Sequence, residues 1–459
     1  MNIKTREHHI AELDVQGALL ERRIESLTQE LENVQRVLRE NRRQRAACTP
    51  LHTLPDDILK LILEAAYEHT LEEGCSDSNA LAITHVDRHL RNVALSAPRL
   101  WRCIHAGMWS GALFKLLLSR TGNLPLRVVL RFPVAQLSRA FKNERYRVQL
   151  TYLLALFAHR MEYLSVKINS YLPDLRQRSY PLLDTLVLES APGLWDGERL
   201  YYMPKCPKLK TFAITAVPIS FEGAILPSLE SLSISDVDIH LDYLRNVVTA
   251  CPNVTTLHMN AVAITYSPGE TVVFSHLEAL HLGRVHGPDA YLDWIVAPAL
   301  SSLTIFACNL RSRGVSTRDP DGLRSFPTVR TLVLKLAQTP DADRFDGNLF
   351  QYVPNATTLE VRRCSESAES LLEHLATAEF SSLPTLQTVV VTGAVEKSEV
   401  LLRIVKGCIA RERPLKELQL GDATREAMEP DILEALKDHL SVTAPRKRMM
   451  IHLRATAPQ

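Results

Sequence analysis

One spacing recurs through the last two thirds of the chain, and it restricts the possible folds more than any other feature. It reads proline, any residue, apolar, two spacers, apolar, one spacer, apolar. The clearest copies start at Pro181 (Leu183, Leu186, Leu188), Pro207 (Leu209, Phe212, Ile214), Pro227 (Leu229, Leu232, Ile234), Pro252 (Val254, Leu257, Met259) and Ser275 (Leu277, Leu280, Leu282). They continue at Pro298 (Leu300, Leu303, Ile305), Pro327 (Val329, Leu332, Leu334), Pro354 (Ala356, Leu359, Val361) and Pro384 (Leu386, Val389, Val391). Weaker copies start at His159 (Met161, Leu164, Val166) and Arg413 (Leu415, Leu418, Leu420). Successive starts lie 20–30 residues apart. Apolar residues two apart share one face of a strand, so each copy predicts a short strand. Stacking the copies buries their apolar residues in layers and joins the strands into one parallel sheet.

That period is the range of leucine-rich repeats, and the pattern resembles them. The resemblance makes a further demand on the tenth residue after each start, which tucks inside the turn. The slot holds Asn169, Ala191, Val217, Val237, Val262, Val285, Cys308, Ala337, Cys364, Ala394 and Ala423. All are small or apolar except Asn169, the residue type the family itself favours. Two return segments, Leu241–Ala250 and Leu371–Ala378, have helical patterns. Residues between the apolar ones point outward on the concave side of such a solenoid. His258, Asn260, His281, Phe306, Glu360 and Arg362 are the candidate target contacts there, with Lys335 beside them. This mixed surface suits a protein or peptide better than a polyanion.

Residues 3–45 contain no proline and one glycine. Ile10, Leu13, Leu20, Ile24, Leu27, Leu31, Val34 and Leu38 are separated by alternating steps of three and four, with Gly17 in the single missed slot. This is a coiled-coil seam of about four heptads. Glycine there fills no hole and costs about 1 kcal/mol in a helix. Flanking positions offer few opposite-charge pairs, His9 with Asp14 being the best. The seam predicts a homodimer through residues 3–38 or capture of a partner helix; the alternative is a single helix folded back on the body. The basic run Asn41–Arg45 reads as a solvated helix end.

Thr53-Leu54-Pro55-Asp56-Asp57 marks a helix start, since acidic residues suit the positive end of the dipole and proline is cheap in the first turn. Ile58, Leu59, Leu61, Ile62, Leu63 and Ala66 then cover most of the circumference, more than one packing face requires. A polar loop at 72–78 precedes a second helical pattern, Leu81, Ile83, Val86, Leu90, Val93 and Leu95, closed by Ser96-Ala97-Pro98 and followed by Leu100-Trp101. Residues 52–104 resemble the F-box family, large fungal type. Leu54, Pro55, Asp57, Ile58, Leu59, Ile62 and Leu63 match its first half; Val86, Arg88, Arg91, Val93, Leu95 and Pro98-Arg99-Leu100-Trp101 match its second. Asp87 replaces the usual Cys, Leu90 the usual Trp and Leu63 a common Phe. The resemblance implies that Leu54, Pro55, Ile58, Leu59, Ile62, Leu63, Val86 and Leu95 dock a Skp-type adaptor, which binds a cullin. Trp101 is expected in the core.

The expected fold class is α/β. A coiled-coil helix (1–48) precedes a small all-α F-box-like module (49–110). A connecting helix and strand (111–158) lead to an irregular leucine-rich-repeat solenoid with a parallel concave sheet (159–459). At 459 residues the chain is too long for one core. Its net charge of +1 argues against a basic nucleic-acid or membrane-surface protein. No apolar run reaches the ~20 residues that span a bilayer, and Met1–Ile10 lacks the apolar core of a signal peptide. The eight cysteines form no C-x-x-C pair, so neither zinc nor a redox dithiol is signalled. Cytoplasmic or nuclear location is expected, and the glycosylation patterns at Asn253 and Asn355 are read as chance. Phosphate-loop, zincin, nucleophile-elbow and kinase motifs are absent, so no catalytic residue, metal or cofactor is expected. The expected role is substrate recognition in a Skp–cullin–F-box ubiquitin ligase. The alternative is a coiled-coil and repeat scaffold with a degenerate F-box.

Overall fold

A computed structural model describes residues 3–47, 54–72, 78–106, 111–131, 154–168, 175, 178–190, 201–265, 270–285, 288–306, 326–335, 348–362, 366–377, 383–392, 398–410, 415–426 and 428–443. The chain divides into two compact units, Met1–Trp101 and Arg102–Gln459.

The first unit is helical. Helix α1 spans Ile3–Ala47, α2 Asp56–Glu72, α3 Ser78–Val86 and α4 Arg88–Leu95, and a 3-10 turn covers Pro98–Trp101. Helix α2 begins where the sequence predicts: Pro55 offers its carbonyl to the Leu59 amide at 3.0 Å, with Asp56 and Asp57 in the first turn. Asp87, one of the three departures from the F-box pattern, caps α4, its carboxylate accepting from the Leu90 amide at 2.9 Å. Such a cap satisfies an otherwise orphaned helix donor. Leu59, Leu90 and Val93 form the interior, with Leu63 and Ile83 packed against it. Trp101 is buried, as expected, and its indole N–H donates to the Ala94 carbonyl at 2.8 Å.

The second unit is built on one 14-stranded sheet in which every pairing is parallel and strands follow one another in chain order. The strands are β1 Cys103–Ala106, β2 Leu126–Arg131, β3 Met161–Ile168, β4 Thr185–Ser190, β5 Thr211–Thr215, β6 Ser231–Ser235 and β7 Thr256–Asn260. They continue with β8 Ala279–Gly283, β9 Ser302–Phe306, β10 Thr331–Lys335, β11 Thr358–Arg362, β12 Thr388–Thr392, β13 Glu417–Leu420 and β14 Ser441–Thr443. All eleven predicted copies are strands, β3 to β13. Their middle apolar residues stand in one register from Leu164 and Leu186 through Leu257 and Leu280 to Val389 and Leu418.

The sheet exceeds the motif at both ends. Cys103–Ala106, which the sequence groups with the helical module, is its first strand. The expected strand near Arg127 joins it as β2. The last described strand is β14, and the stretch 449–453, which reads from the sequence as a final strand or tail, lies outside the described residues. Helix α5 (Gly111–Arg120) lies between β1 and β2, and of the two predicted return helices one is Leu241–Ala250 and the other starts earlier, at Glu366, and reaches Thr377.

The proline of the motif has a clear local role. In the nine clear copies the amide two residues after the start donates to the carbonyl just before it, at 3.1–3.5 Å. This is a β-turn, and in eight of the nine its second position is proline, whose fixed φ is pre-set for it; Ser275 stands there in the other. The residue before the start is buried every time: Tyr180, Cys206, Leu226, Cys251, Phe274, Ala297, Phe326, Val353 and Leu383. Three residues after each start a single carbonyl accepts two amides from the following copy, as Glu230 does from Thr255 at 2.9 Å and Thr256 at 3.0 Å. Side chains extend this spine. Asn253 and Asn355, the two residues in glycosylation patterns, donate to the carbonyls of Pro227 and Pro327 at 2.8 and 3.0 Å.

The strands end in a second repeated device. Ala216, Asp236, Ala261 and Arg284, each nine residues after a start, have φ between 49° and 53°. A left-handed conformation costs an L-residue roughly 1–2 kcal/mol. Each of these amides is satisfied, donating to the end of the next strand: Ser235, Asn260, Gly283 and Phe306, at 2.7–2.9 Å. The reversal then drives the tenth residue inward. Val217, Val262 and Val285 are buried and Val237 half-buried. Ala423 departs from the expectation: it is exposed, and Thr424 is buried instead, its hydroxyl donating to the Val391 carbonyl at 3.3 Å. Asn169, Ala191, Cys308, Ala337, Cys364 and Ala394 lie outside the described residues.

Candidate functional site

Two surfaces carry the candidate residues, one on each unit. On α2, Ile58, Leu61 and Ile62 are 41%, 60% and 42% exposed. With exposed Ala65 they follow the i, i+3, i+4, i+7 spacing of one helix face. Pro55 is exposed and Leu54 half-buried at the start of the helix. Leu59 and Leu63 point the other way. Leu59 has no exposed surface and Leu63 packs beside it, so Leu59, expected to be a contact residue, is part of the module's interior and not of its exposed face. Val86 and Leu95 are exposed at the last positions of α3 and α4. The sequence shows α2 apolar nearly all round; packing decides which half is covered.

The second surface is the sheet face opposite the buried layers. His258 and His281 are register partners on β7 and β8. Their rings stack with centroids 4.0 Å apart and planes 6° from parallel. Burial, with the Lys335 ammonium nearby, pushes the His258 imidazole down to about 4. Burial, then His258 and Lys335, pushes His281 down to about 3. Both rings are therefore neutral at pH 7, which is what lets them stack without charge repulsion. Beyond them in the same row come Thr304, Val333 and Glu360. Thr304 and Val333 are buried although they face outward. Parallel strands sit about 4.8 Å apart, so short side chains are covered by taller neighbours.

Three strand spacings, about 14 Å, separate His281 from Glu360. No acid–base pair forms between them. Glu360 instead accepts from Arg362 Nε at 2.5 Å, two residues along the same strand. Phe306 lies over its register partner Gly283, where an added Cβ would stand 2.0 Å from the ring. Asn260 Oδ1 accepts from Arg284 Nε at 3.1 Å, and Arg284 also reaches Asp236 at 3.4 Å. The structure thus places His258 with His281 and Glu360 with Arg362, while Phe306 and Asn260 sit at the strand ends. One feature of this face escaped the sequence reading. The second of the paired spacers is Thr185, Thr211, Ser231, Thr256, Ala279, Ser302, Thr331, Thr358 and Thr388 from β4 to β12, a nearly unbroken hydroxyl row. Its signal was available as a fixed offset from each proline.

Two of the buried thiols are poor nucleophiles. Cys206 and Cys251 lie in the core, and burial pushes each up to about 12, so both stay protonated at neutral pH. Cys308 and Cys364 are outside the described residues. Among the described residues no group of three or more His, Cys, Asp and Glu side chains is placed to hold a metal, and no helix is long and apolar enough to cross a membrane. No protein-family model matches the chain, and no curated protein matches it.

Proposed function

We propose that this chain is the substrate-recognition adaptor of a Skp–cullin–F-box ubiquitin ligase. The F-box-like helices dock a Skp-type adaptor, and the leucine-rich repeats hold a protein target. One observation carries the reading: the Ile58, Leu61, Ile62 stripe stays exposed on a helix whose opposite face already has its core. Burying those three side chains is worth about 1.5–3 kcal/mol each. Association itself costs roughly 4–15 kcal/mol. The stripe alone covers only the lower part of that range, and the proposed docking surface also takes in the exposed Pro55, Val86 and Leu95.

On the repeats, the stacked neutral histidines, the Phe306 ring and the Glu360–Arg362 pair offer apolar, aromatic and polar contacts without a block of one charge. That mixture fits a folded protein or peptide. The chain's contribution to catalysis is proximity: it raises the effective concentration of target near the ubiquitin-loaded partner and makes no bonds itself.

Co-purification with a Skp-type adaptor tests this. Ile58→Asp with Ile62→Asp changes only exposed positions, so the module keeps its fold and loses the adaptor. Retained capture by that variant would sink the docking claim. A second reading is a scaffold without a ligase role. It is favoured by Asp87 and Leu90, where the family has Cys and Trp, since both serve the module's own cap and core. A wild-type chain that never captures the adaptor supports it.

A further inference from the structure

Neither the proposed docking face nor the sheet uses the apolar seam of α1. Leu20, Ile24, Leu27, Leu31, Val34 and Leu38 are 47–65% exposed along a helix of 45 residues. No described side chain of α1 is buried between residues 15 and 41; Gly17 alone is half-buried. A heptad seam in water calls for a second helix. We propose that it is α1 of a second copy of this chain, running antiparallel, with Ile24 of each copy opposite Leu27 of the other.

The seam matches itself when reversed. In that alignment Leu20 meets Leu31 of the second copy, Ile24 meets Leu27, and Gly17 meets Val34, each contact occurring twice by symmetry. A parallel pair would set Gly17 against Gly17 and leave a void. Flanking charge favours the same orientation. Arg23 and Glu30 each stand just before a seam residue, and antiparallel helices bring such positions face to face, giving two Arg23–Glu30 pairs. In a parallel pair Arg23 would face Thr28, and Glu30 would face Gln35. Neither Arg23 nor Glu30 has an opposite charge three or four residues away in its own helix, so both are left for the partner. Helix α1 is about 67 Å long, and a seam of that length reaches on the order of 800 Å² per partner, the size of a standard interface. Antiparallel pairing also holds the two Ala47 ends about 65 Å apart. Each helical module then keeps room for its own adaptor.

Sedimentation equilibrium of the full chain tests both the pairing and its direction. Wild type is expected to be a dimer. Leu20→Asp with Leu27→Asp, both on exposed positions, is expected to be monomeric and to co-purify with the Skp-type adaptor as well as wild type does, which separates this proposal from the docking reading. Arg23→Glu is expected to weaken the dimer by about tenfold or more, because it sets like charges opposite each other, and adding Glu30→Arg restores it. A monomeric wild type, a larger oligomer, or a dimer that survives the two aspartates overturns the pairing. A dimer unchanged by Arg23→Glu overturns the antiparallel arrangement.

Discussion

The two units treat their apolar surface in opposite ways. In the repeat unit each strand sends its motif residues into one continuous core, and Leu186, Leu257, Leu280, Leu332 and Leu359 have no exposed surface. In the helical unit a small interior of Leu59, Leu90 and Val93 leaves apolar stripes on α1 and α2 in water. A repeat closes its neighbour's core, so stacking is self-sufficient. A short helix module has too little volume to cover every apolar face it carries. Surplus surface of that kind is where a partner gains most.

The contrast can be broken most directly in the sheet. Phe212 is fully buried, with Phe221 edge-on at 5.9 Å. Phe212→Ala is expected to cost about 3–5 kcal/mol in chemical denaturation, with adaptor capture unchanged. A much smaller loss would mean the layers are not packed as described. On α2 the comparison is between neighbours. Leu59→Ala is expected to cost about 2–5 kcal/mol, whereas Ile62→Ala is expected to stay within about 0.5 kcal/mol and to act on binding instead. Equal destabilisation by the two would erase the distinction between interior and docking face.

The histidine stack gives a pH test of the sheet's outward face. Both folded values lie below the ordinary value of 6.5, near 4 and 3. The unfolded chain therefore binds more protons in that window, and stability falls as pH drops from about 6.5 toward 3. The expected difference between wild type and His258→Gln with His281→Gln at pH 5 is on the order of 4 kcal/mol, about 2 for each ring, since one unit of pKa is about 1.4 kcal/mol. Parallel pH profiles for the two proteins would refute the neutral stack. A modest loss is expected at the helix cap: Asp87→Ala removes the α4 cap and should lower stability by about 1 kcal/mol. No loss there would show that Asp87 serves docking more than folding.

Much of the repeat unit was legible because a strand has a period of two and each copy carries its apolar residues at that period. Register followed, because a one-residue slip would turn every buried leucine outward. The buried residue before each start carries an equally local signal, since Leu226, Phe274 and Phe326 are plainly apolar. The left-handed residues were hidden: Ala216, Asp236, Ala261 and Arg284 include no glycine or asparagine, so nothing local announces the conformation. Strands β1 and β14 carry no proline-led copy and were found only through their neighbours' edges. The candidate sites split the same way. The His258–His281 adjacency followed from register, whereas the Glu360–Arg362 pairing and the ring of Phe306 over Gly283 depended on side-chain packing.

The sequence by itself determined where the strands run, their order and register, the start of α2 and the seam of α1. Each is a matter of local period or of a single backbone constraint. Which half of α2 is buried, which residues bend left-handed at the strand ends and how far the sheet extends were decided only by the tertiary structure. Those outcomes depend on neighbours distant in the chain: α2 is apolar on both sides, and only Leu90 and Val93, some thirty residues on, decide that Leu59 turns inward and Ile58 and Ile62 remain outside.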